Sequence, residues 1–172
     1  MTPARSPSST TRAVALFLGL VAVLATTPID ASDCARWRAA FARMPSGTLT
    51  LAAGERMLRI AVKVAEDDEQ RAAGFQCATR DEIQQTRVLF DFGGEIVTAF
   101  HMQNVIAPLD IAFAKADGRI FAIQRMTPSP TAVYQPMGAF RYAVEAAAGF
   151  FEHEGIRPGE ARLVTPGRMP GR

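Results

Sequence analysis

The clearest period-two alternation in the chain is Leu58-Arg59-Ile60-Ala61-Val62-Lys63-Val64, which predicts a strand with one buried face. Val88 to Phe92, a Gly93-Gly94 turn and Glu95 to Met102 predict a hairpin. Leu109 to Ala114, Asp117-Gly118 and Arg119 to Arg125 predict a second, with a type I′ turn because Asp-Gly tolerates positive φ at both central positions. Tyr142 to Ala146 and Glu160 to Val164 add two further strands. Period 3.6 governs Ser32 to Met44, where Cys34, Trp37, Phe41 and Met44 share a stripe. Ser32 or Asp33 caps that helix, and Pro45-Ser46-Gly47 ends it. Asp67 opens a shorter helix, with Gln70 at the capping-box position and Gly74 as its stop. Ala147 to His153 forms a helical turn ended by Gly155. Thr127 to Phe140 holds three prolines and Gly138, and reads as an irregular loop. The sum is a mostly β fold, an antiparallel sandwich or barrel with two or three short helices.

A different pattern precedes these elements. Arg5 and Arg12 lead into an uninterrupted apolar run, Ala13 to Ala25, with small residues offering cleavage after Ala25 or Ala31. Thirteen helical residues cover about 20 Å, short of a ~30 Å hydrocarbon core. The run therefore reads as a signal peptide over residues 1–31, not as an anchor. Cys34 follows Asp33, which does not fit a lipid-attachment site. An N-terminal helix and linker over 32–47, one β domain over 48–166 and a flexible tail over 167–172 complete the expected organisation. The expected location is periplasmic or extracellular, with no stable membrane insertion after processing.

Charge adds an exclusion. From Ser32 onward the chain carries 17 basic and 16 acidic residues, with no Lys/Arg run. A nucleic-acid partner is not expected, because such proteins show a basic stripe. In an oxidising compartment Cys34 and Cys77 are most simply a disulfide, which stabilises by about 4 kcal/mol for such a loop. Two inert thiols, or Cys77 as a nucleophile, are the other readings.

No phosphate loop, CxxC or HExxH spacing, or GxSxG elbow occurs, so no cofactor and no metal are expected. One segment concentrates chemistry: Phe100-His101-Met102-Gln103-Asn104-Val105-Ile106-Ala107-Pro108-Leu109-Asp110. From about Leu58 to Val164 the chain resembles the uncharacterised family called domain of unknown function 192. That family carries R-x-x-GLM, GMLF, WMKNT-x-x-PLD, D-G-R-I and LE-x-x-AG pieces. Here they stand as Arg71-Ala72-Ala73-Gly74-Phe75-Gln76, Val88-Leu89-Phe90, His101-Met102-Gln103-Asn104-Val105 with Pro108-Leu109-Asp110, Asp117-Gly118-Arg119-Ile120, and Val144-Glu145-Ala146-Ala147-Ala148-Gly149. His101 replaces a Trp, Val105 a Thr, and Phe75-Gln76 a Leu-Met. The resemblance implies a jelly-roll-like β fold with no agreed activity.

The polar candidates follow. His101 titrates near neutrality, and Asp110 bonded to one ring nitrogen would leave the other as base or ligand. Asn104 and Asp110 otherwise serve as turn acceptors beside Pro108. Glu145 faces water, pairs with Arg71 or Arg141, or lines a pocket. His153 reads as a helix-terminus cation or an exposed residue, and Tyr134 as a loop-packing or recognition aromatic. The ligand-binding candidates are thus His101, Asn104, Asp110, Glu145 and Arg71. The leading functional reading is a non-enzymatic module binding a small polar or carbohydrate ligand in the cell envelope. The alternatives are an assembly module contacting an envelope protein through Thr127 to Phe140, and a hydrolase or lyase using His101 with Asp110 or Glu145.

Overall fold

The computed structural model describes residues 31–164; the leader through Asp30, with its apolar run, and the tail from Thr165 lie outside the described residues. Helix α1 (Ala31–Arg43) is Ala-rich, with Asp33 in its first turn and Arg43 in its last, as its dipole favours. It turns Ala40 and Phe41 inward and stops before Pro45. Strands β1 (Ser46–Ala53) and β2 (Arg56–Ala65) form a hairpin about Gly54, whose φ is 58°. The short helices α2 (Asp68–Ala73) and α3 (Arg80–Gln85) follow. Asp67 caps α2 by accepting the Gln70 N–H, and Thr79 and Glu82 form a capping box on α3. Gln70 does not complete the expected box; its Oε1 accepts the Glu66 N–H instead.

Strand β3 (Val88–Ile96) runs straight through Gly93-Gly94, so the first expected hairpin is absent. Six residues of β3, Asp91 to Ile96, are matched by three of its neighbour, Phe140 to Tyr142, which makes the glycine pair part of a bulge. Beyond it, β4 (Phe100–His101) pairs with β7 (Val133–Tyr134) in a small ribbon, placing a strand inside the expected Thr127 to Phe140 loop. The hairpin of β5 (Leu109–Ala114) and β6 (Ile120–Met126) forms as expected. Its turn is not type I′: Gly118 has φ 85°, but Asp117 does not adopt positive φ. Strand β8 (Phe140–Ala147), helix α4 (Phe150–His153) and β9 (Ala161–Val164) complete the chain.

Seven strands make one sheet in the order β6-β5-β8-β3-β2-β1-β9. The pairing is antiparallel except between β2 and β3, because α2 and α3 carry the chain across before β3 begins. The sheet curls until its edges touch: the Leu163 N–H donates to the Gly118 carbonyl at 2.8 Å, and Arg119 bridges Arg162. A β-carbon on Gly118 would stand 2.1 Å from the Leu163 oxygen, so this junction requires glycine. The mostly β reading holds, and of the expected sandwich or barrel the main sheet takes the form of a curled, seven-stranded half-barrel. Leu49, Leu51, Ile60, Val62, Val144 and Leu163 fill its inner face. Its outer face carries Val88, Phe90, Ile111 and Phe113, covered by α1, α2, α3 and the segment after β3. No helix among the described residues is long and apolar enough to cross a membrane.

Candidate functional site

Along β8, side chains alternate between the two faces. Tyr142, Val144 and Ala146 point inward, and Ala143 and Glu145 point to the outer face. Glu145 therefore sits in an apolar position, opposite Val88 on β3 and Ile111 on β5. It is 4 % exposed, and among the described residues no group bonds its buried Oε2. Burial alone pushes its carboxyl up to about 8, with no cation offsetting the desolvation.

Above the carboxyl lies the C-terminal end of α2. Gly74 ends that helix at φ 44°, and a β-carbon there would come within 3.3 Å of Glu145 Oε2 and 3.7 Å of the Phe90 ring. His101, half-buried on β4, faces the same space. Its Nδ1 is buried without a bond from any of the described residues, and burial lowers its pKa, favouring the neutral ring. Together these groups line a cavity of about 270 Å³, walled by Phe90, Phe92 and Phe100. The Phe90 and Phe100 rings meet edge to face at 5.2 Å, and Phe92 meets Phe100 in the same way at 6.5 Å.

Arg71, also on the wall, is held at the rim. It donates to the Glu66 carbonyl at 3.0 Å and to Asp68 at 2.7 Å, and its guanidinium lies 5.7 Å from the Phe92 centroid. The expected contact of Glu145 with Arg71 or Arg141 does not form; Arg141 pairs with Asp91.

Asn104 and Asp110 are placed elsewhere. Asn104 adopts φ 60°, a left-handed conformation that Asn tolerates, and its Nδ2 donates to Gln76 Oε1 at 3.0 Å. Its carbonyl accepts the Cys77 N–H at 2.8 Å. Asn104 thus fastens the segment after α2, and only through Gln76 does it reach the cavity wall. Asp110 lies on the inner face, where it binds the Arg125 guanidinium and accepts the Gly149 N–H at 2.6 Å. A His101–Asp110 dyad does not form, because an even spacing to Ala112 and Ala114 turns Asp110 away from the cavity. Cys34 and Cys77 stand at disulfide distance, with Cα atoms 5.5 Å apart, joining α1 to the segment after α2 that Asn104 fastens. His153 is exposed beside Glu154, and the Tyr134 hydroxyl bonds Thr127.

Gly74, Gln76 and the three phenylalanines were not among the expected site residues. The alternation of Phe90 and Phe92, which puts both rings on one face, was the available signal. Among the described residues, no three His, Cys, Asp or Glu side chains stand together as a metal site would need.

Residues 49–162 match the family DUF192, described as an uncharacterized ACR. No curated protein matches the chain. Solved structures are similar as well, two of them as follows. One, from Sinorhizobium meliloti and described as a "putative transcription regulator", is 28 % identical, with a TM-score of 0.62 over 70 % of this chain and 93 % of that one. The other, a protein of unknown function from Novosphingobium aromaticivorans, is 20 % identical, with a TM-score of 0.62 over 70 % of this chain and 85 % of that one; it shares the fold.

Proposed function

The chain belongs to the DUF192 family, and we propose that it binds one small polar ligand in the cavity beneath α2. One observation carries this reading. Glu145 and His101 line the same cavity, and among the described residues neither Glu145 Oε2 nor His101 Nδ1, both buried, has a hydrogen-bond partner. Each unmet buried polar group costs about 1–3 kcal/mol, so a fold keeps such groups where something else satisfies them. Phenyl faces with a few polar groups are also the usual make-up of a small-molecule site. The leader, together with cysteines at disulfide distance, supports export to an oxidising compartment. The regulator description of the Sinorhizobium protein is not carried over, since this chain has no basic run to follow a phosphate backbone.

A thermal-shift screen of monosaccharides, short amines and envelope fragments tests the reading. A ligand that raises the melting temperature, and loses that effect in Glu145→Gln or His101→Phe, is the expected result. A screen without any shift, or a shift indifferent to both substitutions, overturns it. A second reading, an assembly module, has its own support: Val133 and Met137 in the segment between β6 and β8 are exposed apolar side chains. Replacing that segment and comparing captured envelope proteins separates the two.

A further inference from the structure

We infer that the cavity beneath α2 takes a small organic cation, a primary ammonium or guanidinium group on a short alkyl stem, paired with the Glu145 carboxylate against the phenyl rings. This rests on the ligand-binding reading of the same cavity and adds the charge of the ligand.

The argument begins with the choice of side chain. For a neutral ligand, glutamine at position 145 would offer the same shape, a donor and an acceptor, without the desolvation that a carboxyl brings. What a carboxyl adds is the capacity to become an anion. Among the described residues, none places a cation on that carboxyl. Helix α2 presents Asp68 and Arg71, which are paired with each other at 2.7 Å. Strand β4 presents His101, whose burial favours the neutral ring. The neighbours of Glu145 on β3 and β5 are Val88 and Ile111, and α3 buries Ile83. The missing counter-charge is a positive one, and a ligand has to bring it.

The walls agree with that sign. Phenyl faces carry the negative part of the ring quadrupole and attract cations within about 6 Å of the centroid. This wall already holds one cation, the Arg71 guanidinium 5.7 Å from the Phe92 centroid. Gly74 leaves free the space over the carboxylate that any side chain would occupy. The volume, about 270 Å³, lies just under the range of drug-sized pockets, about 300–1,000 Å³, and suits a short-chain amine. Binding is a proton exchange: the Glu145 carboxyl releases its proton to solvent, the carboxylate pairs with the incoming cation, and no other bond changes.

Isothermal titration of the purified protein with butylammonium and butylguanidinium chlorides, and with 1-butanol and glucose as neutral probes, tests this from pH 5 to pH 9. The cations should bind, with affinity rising about tenfold per pH unit and levelling near pH 8, and with heats that depend on the buffer as proton release requires. Glu145→Gln should weaken cation binding at least tenfold and remove the slope. In the unaltered protein, the ¹³C signal of the Glu145 carboxyl should move to its ionised position when butylammonium is added at pH 6. Binding of glucose or 1-butanol in place of the cations would overturn the cation and leave the ligand-binding reading standing. Cation binding unchanged in Glu145→Gln, or an unmoved carboxyl signal, would also overturn it. Silence from all four probes counts against both.

Discussion

A β-carbon on Gly74 would stand 3.3 Å from the Oε2 atom of Glu145. The end of α2 is thereby drawn down over the outer face of the sheet, close enough to shield the carboxyl from water without bonding it. Gly74→Ala should cost about 1–3 kcal/mol, since alanine tolerates the φ of 44° poorly and its methyl crowds the carboxyl. Denaturant midpoints at constant slope measure the cost, and the ligand shift should shrink with the cavity.

Stability should fall as pH rises from about 4.5 to about 8 and level off above that. Folded Glu145 keeps its proton to about 8, whereas the unfolded chain releases it near 4.5. Between those values the folded state binds more protons, so its advantage declines as pH rises. His101, with its pKa lowered, acts oppositely and only below about 6.5. Glu82, held low chiefly by the Thr79 N–H, matters only in acid. From pH 7 to pH 9 the protein should lose about 1.4 kcal/mol through Glu145, and Glu145→Gln should lose none of it. Urea unfolding at the two pH values decides.

Asp110 should behave as a fold residue. Its carboxylate joins β6, through Arg125, to the Gly149 N–H that follows β8. Asp110→Asn should destabilise by about 2–3 kcal/mol, the worth of bonds to a charged group. Because Asp110 lies on the other face of the sheet, ligand binding should be unchanged in the folded fraction. Calorimetry on the variant measures both effects.

Oxidation should join Cys34 to Cys77 across their separation of 43 residues. The intact mass of the oxidised protein should be lower by two hydrogens than that of the reduced form. Reduction should cost about 4 kcal/mol on the loop-entropy account. Two alkylatable thiols in the native protein would remove the bond.

Local signals made part of this legible in the sequence. Asp67 and Gly74 bound α2 in the chain as in the structure, and the β5–β6 hairpin follows from its alternation and its Asp-Gly turn. Pairing between distant segments was not local. Nothing near Gly93-Gly94 says that β3 continues through it, because β8 supplies the partner that makes a bulge there. The parallel β2–β3 pair depends on where two short helices set the chain down, and β1 rests on too short an alternation to be read. At the site, His101 and Asp110 are nine positions apart yet lie on opposite faces. Glu145 is surrounded in sequence by small apolar residues, so its burial depends on α2 closing from above. The pieces that carry the family resemblance bond one another, Asn104 to Gln76 and Asp110 to Gly149.

The protonation state of Glu145 bears on all of this. A ¹³C NMR titration of its side-chain carboxyl in the ligand-free protein should show a midpoint near 8, with the proton retained at pH 7. A midpoint near the ordinary 4.5 would mean that water or a cation already serves the group, and would contradict a buried, unpartnered carboxyl facing the cavity.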